Sequence, residues 1–420
     1  MTPWASYARL QVAALLLTLT AAMGGSLPAH SEASDPAKTN EDSGGAPIEH
    51  PEALDSFFKA LNLLGAGDRV DPTPTVRILH FGDSHTAADF LSGRLRRRLQ
   101  EAYGDAGPGL LLPAHPWRGY PHDGVKQAFG RHWPATSLRG SDPDAKVGLP
   151  GAALVIPEGR RLVIRGLFAD FRLHVLGPEG QTPTVEALSA VDGSGDPRPT
   201  RLMELDRLAM VNGHALRILA PVSPTKGDEL SVALTHGSRL FGVDLHSGNP
   251  GVLYDELGLN GAELLDLERW DPSVRGFLLR AVKPDLLVLA YGTNDMGHAD
   301  FDPADYQARA TRLLASLKDE SSAPILLVSP PDRAGWRRGS HPNASAVARV
   351  FRKACAEVGC AVWDAMKAMG GSGSIQRWRR QGLVQRDLVH LTVPGYQRLA
   401  DLMYRALIEA KTRRDGKLGR

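Results

Sequence analysis

The strongest constraint on the fold is the alternation of apolar strands and amphipathic helices that the C-terminal half of the chain predicts. Residues 285–291, Asp-Leu-Leu-Val-Leu-Ala-Tyr, form an uninterrupted apolar run, which is typical of a strand buried on both faces of a sheet. Asp302-Pro303 predicts the start of a helix over 303–318, because proline is favoured at the first helical position. The alternation continues with a strand at 324–329, a helix at 342–358, a strand at 361–364 and a helix at 394–410. This order predicts an α/β domain with a mostly parallel sheet covered on both faces.

An α/β pattern is also present earlier in the chain. Residues 77–87 contain a short apolar run and the turn Gly82-Asp83-Ser84, and helical spacing follows to about Tyr103. Residues 104–117 are rich in glycine and proline and are predicted to lack regular structure. A second strand is predicted at 252–259, with helical spacing after it through Trp270.

Between these α/β segments, from about residue 131 to residue 246, the sequence shows short runs of period-two alternation separated by turn residues. The predicted strands are 162–168, 171–176, 184–191, 202–205, 215–219, 230–234 and 241–245. Such a series favours an antiparallel β-sandwich, jelly-roll-like in outline. We therefore expect one α/β domain, made of residues 51–130 and 249–412, that is interrupted by a β-sandwich insert at 131–248.

The N-terminal segment has the composition of a targeting sequence. Arg9 precedes an apolar run at 10–23, and Ser31-Glu32-Ala33 offers a small-x-small cleavage site, so residues 1–33 are predicted to be a signal peptide. The apolar run is near the lower limit for spanning a bilayer, which leaves an uncleaved anchor as an alternative. Residues 34–50 are expected to be a flexible linker, followed by a helix at 51–64. The mature protein is accordingly predicted to be periplasmic or secreted.

Charge and cysteine content exclude some classes of function. The 49 Lys and Arg residues nearly balance the 47 Asp and Glu residues, so we expect no nucleic-acid partner. The basic clusters at 377–380 and 411–420 are interpreted as a solvated loop and a frayed end, with a basic tail at 413–420. Cys355 and Cys360 either form a local disulfide or are two packed thiols, because their spacing does not fit a redox pair or a zinc site. No oligomeric state follows from the sequence.

Four polar clusters lie at the ends of the predicted α/β strands or just before the last helix. They are Asp83-Ser84, Asn260-Gly261, Gly292-Thr293-Asn294-Asp295 and the segment Asp387-Leu388-Val389-His390. Because the carboxyl ends of parallel strands meet at one edge of a sheet, we expect these clusters to share one crevice.

The residue types in that crevice suit acyl transfer, which needs a nucleophile, a base, a group that orients the base and donors for an oxyanion. We assign Ser84 as the nucleophile, His390 as the base and Asp387 as the orienting carboxylate. The backbone N–H groups of Ser84 and Gly261 and the side-chain amide of Asn294 are the predicted oxyanion donors. No metal and no cofactor are expected.

Each of these residues also has a purely structural interpretation. The Gly82-Asp83-Ser84 turn could be a β-turn with a helix cap, and Asn294 could be a turn residue. Gly261 could be a glycine at a helix entry, and Asp387 with His390 could be a surface pair. The joint occurrence in order along the chain favours the catalytic interpretation.

Gly82-Asp83-Ser84, Gly261, Gly292-x-Asn294 and Asp387-x-x-His390 resemble the four sequence blocks of the SGNH (GDSL-type) hydrolases. The resemblance covers about residues 76–112 and 250–410. It implies a flavodoxin-like three-layer α/β/α fold, a Ser-His-Asp arrangement and an oxyanion hole formed by Ser84, Gly261 and Asn294.

A narrower resemblance is to the bacterial peptidoglycan O-acetylesterases. The segments 79–87 and 389–396 are similar to that subgroup, and so is a β-rich insert, which there resembles a carbohydrate-binding module. His85 stands where the superfamily usually has leucine, and the subgroup has histidine there as well. The resemblance implies an exported serine esterase that removes O-acetyl groups from a cell-wall or extracellular polysaccharide, peptidoglycan being the first expectation. An O-acetyltransferase with the same triad and a non-catalytic glycan-binding scaffold are the alternatives.

Overall fold

The computed structural model describes residues 45–64, 74–112, 122–128, 134–140, 146–155, 157, 159–190, 197–211, 214–334 and 339–418. The predicted signal peptide at 1–33 lies outside the described residues. The helices described are α1 (Asp55–Leu64), α2 (Phe90–Tyr103), α3 (Pro272–Val282), α4 (Pro303–Ser321), α5 (Ala344–Val358), α6 (Ala365–Ala368), α7 (Ser374–Arg380) and α8 (Val393–Leu418).

The strands follow the order that the alternation of the sequence predicts, with additional short ones. They are β1 (Thr75–Gly82), β2 (Gly109–Leu111), β3 (Lys126–Ala128), β4 (Ala135–Ser137), β5 (Ala152–Val155), β6 (Leu162–Phe168), β7 (Asp170–Leu176), β8 (Val185–Ala190), β9 (Arg198–Thr200), β10 (Leu202–Val211), β11 (His214–Pro221), β12 (Gly227–Leu234), β13 (Arg239–His246), β14 (Gly251–Gly258), β15 (Leu286–Ala290), β16 (Ile325–Ser329) and β17 (Ala361–Asp364).

A parallel sheet forms the centre of the α/β part, as predicted. Its order is β14-β1-β15-β16-β17, and every neighbouring pair in it is parallel. This is the second-first-third-fourth-fifth order of flavodoxin-like sheets. The order places the ends of β14 and β15 on either side of the end of β1.

Alternate residues of the central strands enter two separate cores, because successive side chains of a strand point to opposite faces. Leu79 and Leu287 pack with α3, α4 and α5 on one face. Ile78 and Leu286 pack with α1, α2 and α8 on the other face. The sheet is therefore covered by helices on both sides.

The segment between β1 and β14 contains two antiparallel sheets. One has the order β10-β11-β7-β13-β5-β4, with β2 paired to β13 as well, and the other has the order β3-β6-β12-β8-β9. Apolar residues of both sheets, such as Leu173 and Val243 from the first and Ile164 and Leu230 from the second, belong to one buried cluster. All seven strands predicted in this segment are present, although several are longer than predicted.

The structure corrects the prediction that residues 104–117 lack regular structure, since β2 pairs there with β13. The backbone N–H of Leu110 also donates to the buried carboxylate of Asp255 at 2.8 Å. Gly109 adopts φ +81°, a conformation that glycine accepts readily, so the glycine here permits the strand to begin.

The predicted linker is ordered at its C-terminal end. The backbone of Glu49 exchanges hydrogen bonds of 2.8 and 3.1 Å with Val362 of β17, and Ala46 and Ile48 are buried. Residues 45–50 therefore extend the fold, because they pair with a strand and bury apolar side chains.

The helical spacing through Trp270 forms a 3-10 helix, Leu264–Arg269, and a separate helix, α3, begins at Pro272. The proline disfavours helical geometry at the preceding residue, so the two segments cannot form one α-helix. The basic cluster at 377–380 lies in α7, where Trp378 is buried, and is not a solvated loop.

The last helix continues to Leu418, beyond the predicted end at residue 410. Arg414, in the predicted basic tail, binds the carboxylate of Asp55 at the start of α1. This contact holds a turn of helix that the sequence predicts to fray.

Cys355 at the end of α5 and Cys360 before β17 form a disulfide, so the first of the two alternatives for this pair holds.

Candidate active site

Ser84 lies in a tight loop that follows β1. The last residue of β1, Gly82, pairs with Gly258 of β14 on one side and Ala290 of β15 on the other. A side chain at Gly82 would collide with Thr86, so the loop closes on itself only because this residue is glycine.

Asp83 holds the loop in shape. Its carboxylate accepts the backbone N–H of His85 at 2.9 Å, and its carbonyl accepts those of Thr86 and Ala87 at 3.1 Å. Burial raises the pKa of Asp83 to about 6, against the opposing effect of the hydrogen bonds from His85 and Thr293. The helix α2, Phe90–Tyr103, follows this loop, in agreement with the helical spacing predicted after the turn.

The loops after β14 and β15 lie beside this turn. Gly261, at φ +75°, is in the loop after β14, and Asn294 is in the loop after β15. The side-chain amide of Asn294 donates to the carbonyl of Ala262 at 2.9 Å and thereby ties the two loops together.

Asp295 fixes the loop that carries Asn294. Its buried carboxylate accepts the backbone N–H groups of Gly292 and Leu264 at 3.0 Å and the hydroxyl of Tyr306. Burial raises the pKa of Asp295 to about 7. The sequence placed Asp295 in the polar cluster without assigning it this supporting contact.

The segment 387–390 reaches the same point from the side of α8. The Nε2 atom of His390 is 2.9 Å from Oγ of Ser84, and its Nδ1 atom is 2.7 Å from Oδ2 of Asp387. Oδ1 of Asp387 accepts the backbone N–H groups of Val389 and His390 at 3.0 Å. Leu388 adopts φ +56°, an uncommon conformation for a residue with a side chain, and this bend allows the carboxylate to face the imidazole.

This geometry determines which nitrogen of His390 carries the proton in the neutral ring. Nδ1–H donates to the carboxylate, so Nε2 is left as the acceptor for the Ser84 hydroxyl. Burial opposes ionisation of Asp387, but hydrogen bonds from His390 and Val389 lower the pKa of Asp387 to about 2. The carboxylate is therefore charged at neutral pH, and the arrangement can take a proton from a serine hydroxyl and stabilise the resulting imidazolium.

The structure thus brings Ser84, His390 and Asp387 into one hydrogen-bonded series and places Gly261 and Asn294 in the two adjoining loops.

The structure also shows a contact that the sequence does not predict. Nδ1 of His85 lies 3.0 Å from the hydroxyl of Tyr396, and the ring of His85 packs against that of His390 with 5.4 Å between centroids. Burial lowers the pKa of His85 to about 3, so its ring is neutral beside His390.

A profile of the GDSL-like lipase/acylhydrolase family matches residues 227–398. No curated protein sequence matches the chain significantly.

Solved structures are also similar to the chain. A structure described as a peptidoglycan O-acetylesterase in action is 23% identical, with a TM-score of 0.71, and the match covers 87% of this chain and 99% of that one. A carbohydrate esterase of family three from Talaromyces cellulolyticus is 19% identical with a TM-score of 0.30, over 38% of this chain and 72% of that one. A family two carbohydrate esterase from Cellvibrio japonicus is 11% identical with a TM-score of 0.28, over 69% and 98% of the two chains.

The first of these structures has the same fold as this chain over most of its length. The family profile covers the second, third and fourth of the four polar clusters, and the first cluster, with Ser84, is joined to them by the contact with His390. Residues 227–398 therefore match the GDSL-like lipase/acylhydrolase family, and the chain is a carboxylic ester hydrolase.

Proposed function

We propose that the protein is an exported serine esterase that removes O-acetyl groups from a cell-wall or extracellular polysaccharide, with peptidoglycan as the first candidate. The observation that carries the proposal is the pair of contacts of His390, at 2.9 Å to Ser84 and at 2.7 Å to Asp387. The shared fold with a peptidoglycan O-acetylesterase supports the choice of an acetylated glycan as substrate.

In the proposed mechanism, Oγ of Ser84 attacks the acetyl carbonyl carbon while Nε2 of His390 takes the hydroxyl proton. The carbonyl oxygen becomes an oxyanion that the N–H groups of Ser84 and Gly261 and the amide of Asn294 stabilise. The tetrahedral intermediate collapses, and His390 gives its proton to the departing sugar oxygen. A water molecule, deprotonated by His390, then attacks the acetyl-enzyme, which releases acetate and restores the Ser84 hydroxyl.

Export is supported by two features of the chain. The disulfide between Cys355 and Cys360 is of a kind that persists in oxidising compartments, and the N-terminal segment has the composition of a signal peptide. None of the helices in the described part of the chain is long and apolar enough to cross a membrane. We further propose that the two antiparallel sheets act as one β-sandwich module beside the catalytic domain, with the boundaries 131–248.

The test of this function is acetate release from O-acetylated peptidoglycan, xylan and alginate by the full chain and by Ser84→Ala. The wild-type chain should release acetate, and Ser84→Ala should lose all measurable release while it unfolds at the same temperature. Release by the variant at the wild-type rate would remove Ser84 from the mechanism. Transfer of the acetyl group to an added sugar acceptor in place of release would favour the acetyltransferase, and failure to hydrolyse p-nitrophenyl acetate would favour a non-catalytic role.

A further inference from the structure

The turn that carries Gly261 depends on contacts from outside for its orientation. Asn260 and Gly261 are its two central residues, and a hydrogen bond of 3.0 Å from the N–H of Ala262 to the carbonyl of Leu259 closes it. Gly261 has φ +75° at the third position, a conformation that favours glycine in turns. The N–H of Gly261, the proposed oxyanion donor, takes no part in the bond that closes the turn. Its direction is therefore set by whatever holds the turn in place.

The loop after β15 supplies one set of contacts. The N–H of Leu264, three residues beyond Gly261, donates to the carboxylate of Asp295 at 3.0 Å. The amide of Asn294 donates to the carbonyl of Ala262 at 2.9 Å. These bonds fix the turn relative to the side-chain donor of the proposed oxyanion hole.

The β-rich insert supplies a second set of contacts through Arg139, which follows β4. The Nη1 atom of Arg139 lies 3.0 Å from Oδ2 of Asp266 and 3.4 Å from Oε1 of Glu263. Glu263 directly precedes the 3-10 helix after the turn, and Asp266 lies in that helix. The guanidinium also lies close to the turn itself, since a Cβ atom on Gly261 would be 3.9 Å from its Nε and Nη2 atoms.

The two carboxylates extend this contact to the neighbouring loop. Oδ2 of Asp266, which binds Arg139, also accepts the backbone N–H of Glu263 at 2.9 Å. Oε2 of Glu263 lies 3.0 Å from Nε2 of His298, in the loop that carries Asn294. One series of polar and charged groups thus joins the insert to both loops that carry the proposed oxyanion donors.

The fold also fixes the position of Arg139. Leu138, the residue before it, is 2% exposed and belongs to the same buried cluster as Ala262 of the turn. The carbonyl of Gly140, the residue after it, accepts a hydrogen bond of 2.6 Å from Arg269 at the end of the 3-10 helix. Because both neighbours are held against the same segment, the guanidinium is kept beside the two carboxylates.

We propose that Arg139 is a positioning residue of the reaction, which holds the turn of Gly261 so that its N–H faces the oxyanion. A donor stabilises the developing charge best when it is oriented before the reaction, and this turn has a glycine at its centre. This inference rests on the proposed function and deepens it, since it makes the β-rich insert a part of the catalytic arrangement.

The test is the hydrolysis of p-nitrophenyl acetate by the full chain and by Arg139→Ala. The variant should lower kcat about tenfold, a smaller loss than the 10²–10³ expected for a whole donor, because the donor is displaced and still present. KM should stay within about twofold of the wild-type value, because the contact acts on the transition state.

Two further variants distinguish positioning from a general effect on the insert. Both contacts of Arg139 with the carboxylates use one nitrogen, so the ammonium of Arg139→Lys should return kcat to within about threefold of the wild-type value. Arg161→Ala is the matched control. Arg161 also lies in the insert, is 32% exposed against 39% for Arg139, and pairs with Glu186. It should keep the wild-type kcat.

Thermal unfolding of every variant is measured in parallel, and kcat is measured below the unfolding temperature. Wild-type kcat in Arg139→Ala, an equal loss in Arg161→Ala, or a loss that lysine does not restore would each overturn the role of Arg139 and leave the esterase standing. If Arg139→Ala does not fold, Asp266→Asn should show the tenfold loss, because it removes the charge that Arg139 binds and keeps an oxygen for the N–H of Glu263. Wild-type kcat in Asp266→Asn would then overturn the role.

The wild-type chain alone tests the proposed function. If it does not hydrolyse p-nitrophenyl acetate, the esterase is wrong and the inference about Arg139 is wrong with it. If it hydrolyses the ester, the comparison of the variants decides only the role of Arg139.

Discussion

At the scale of single residues, the amide of Asn294 shows how one side chain can serve both the fold and the proposed reaction. One N–H of the amide donates to Ala262, which holds the loop of Gly261 in place. The same group is the side-chain donor of the proposed oxyanion hole. A donor that is fixed before the reaction stabilises the developing charge without reorganisation, which is the main advantage of such a site over water.

We therefore expect Asn294→Ala to lower kcat for p-nitrophenyl acetate by about 10²–10³, the usual loss for one oxyanion donor. Asn343→Ala is the matched control, because the amide of Asn343 also donates to a loop carbonyl, that of Met296 at 3.0 Å. Both variants lose one amide-carbonyl bond, so thermal unfolding should change to a similar degree while only the first loses activity. Equal kcat values for the two variants would contradict the role of Asn294.

The sequence predicts the residues of the site better than their contacts. Ser84, Asp387 and His390 stand in short motifs, and the structure joins them by hydrogen bonds. The contact of His85 with Tyr396 spans 311 positions of the chain, and no local pattern indicates it. Tyr396 is the last residue of the segment 389–396, and its packing against the ring of His85 could be seen only in three dimensions.

At the scale of elements, the strands and helices of the α/β part were predictable because each has the length and period of its type. The strands β15 and β16 are continuous apolar runs, and α4 begins at a proline after an aspartate that caps it. Strands of three residues, such as β2 and β4, carry no period and were missed. Their formation depends on partners distant in sequence, which propensity does not report.

The disulfide at the end of α5 gives a prediction for one element. Cys355 and Cys360 close a loop of few residues between α5 and β17, so removal of the link should lower the free energy of unfolding by about 2 kcal/mol in the loop-entropy model. The double variant Cys355→Ala with Cys360→Ala should show this loss in urea unfolding. A thiol reductant should destabilise the wild-type chain and leave the double variant unchanged; equal stability of the two chains under oxidising conditions would contradict the prediction.

At the scale of the whole molecule, a buried arginine links the parallel sheet to the β-rich part. Arg77 on β1 donates two hydrogen bonds of 2.8 Å to Asp244 on β13 and one of 2.7 Å to Asp255 on β14. All three residues are at most 4% exposed. Removal of one member of such a group leaves a charge buried without its partner, which is far more unfavourable than loss of an exposed pair.

Arg77→Met should accordingly lower the free energy of unfolding by about 3–5 kcal/mol, measured by urea unfolding. Arg94→Met is the control, because the pair of Arg94 with Asp401 is about one-third exposed, with side-chain exposures of 31% and 29%. That variant should lose about 1 kcal/mol or less. Similar losses in the two variants would show that the buried arginine does not link the parts as described.

Acid sensitivity is the last property of the whole molecule that follows from burial. Burial lowers the pKa values of His80 and His85 to about 3 and those of His122 and His174 to about 4. As the pH falls from about 6.5, the unfolded chain takes up protons at these histidines that the folded chain refuses, so the free energy of unfolding decreases. Asp83 and Asp295 act in the opposite direction, since burial raises their pKa values to about 6 and 7 and the folded chain accepts their protons first.

The four histidines outnumber the two carboxyl groups and the pKa shifts of the two sets are of similar size, so we expect a net loss of several kcal/mol in the free energy of unfolding between about pH 6.5 and pH 4. Urea unfolding at several pH values across this window measures the loss. His174→Gln removes one buried imidazole in β7, away from the proposed catalytic residues, and should make the loss with falling pH smaller than in the wild-type chain. A free energy of unfolding that is constant or rises toward pH 4 would contradict the prediction, because it would mean that these histidines take up protons in the folded chain as readily as in the unfolded chain.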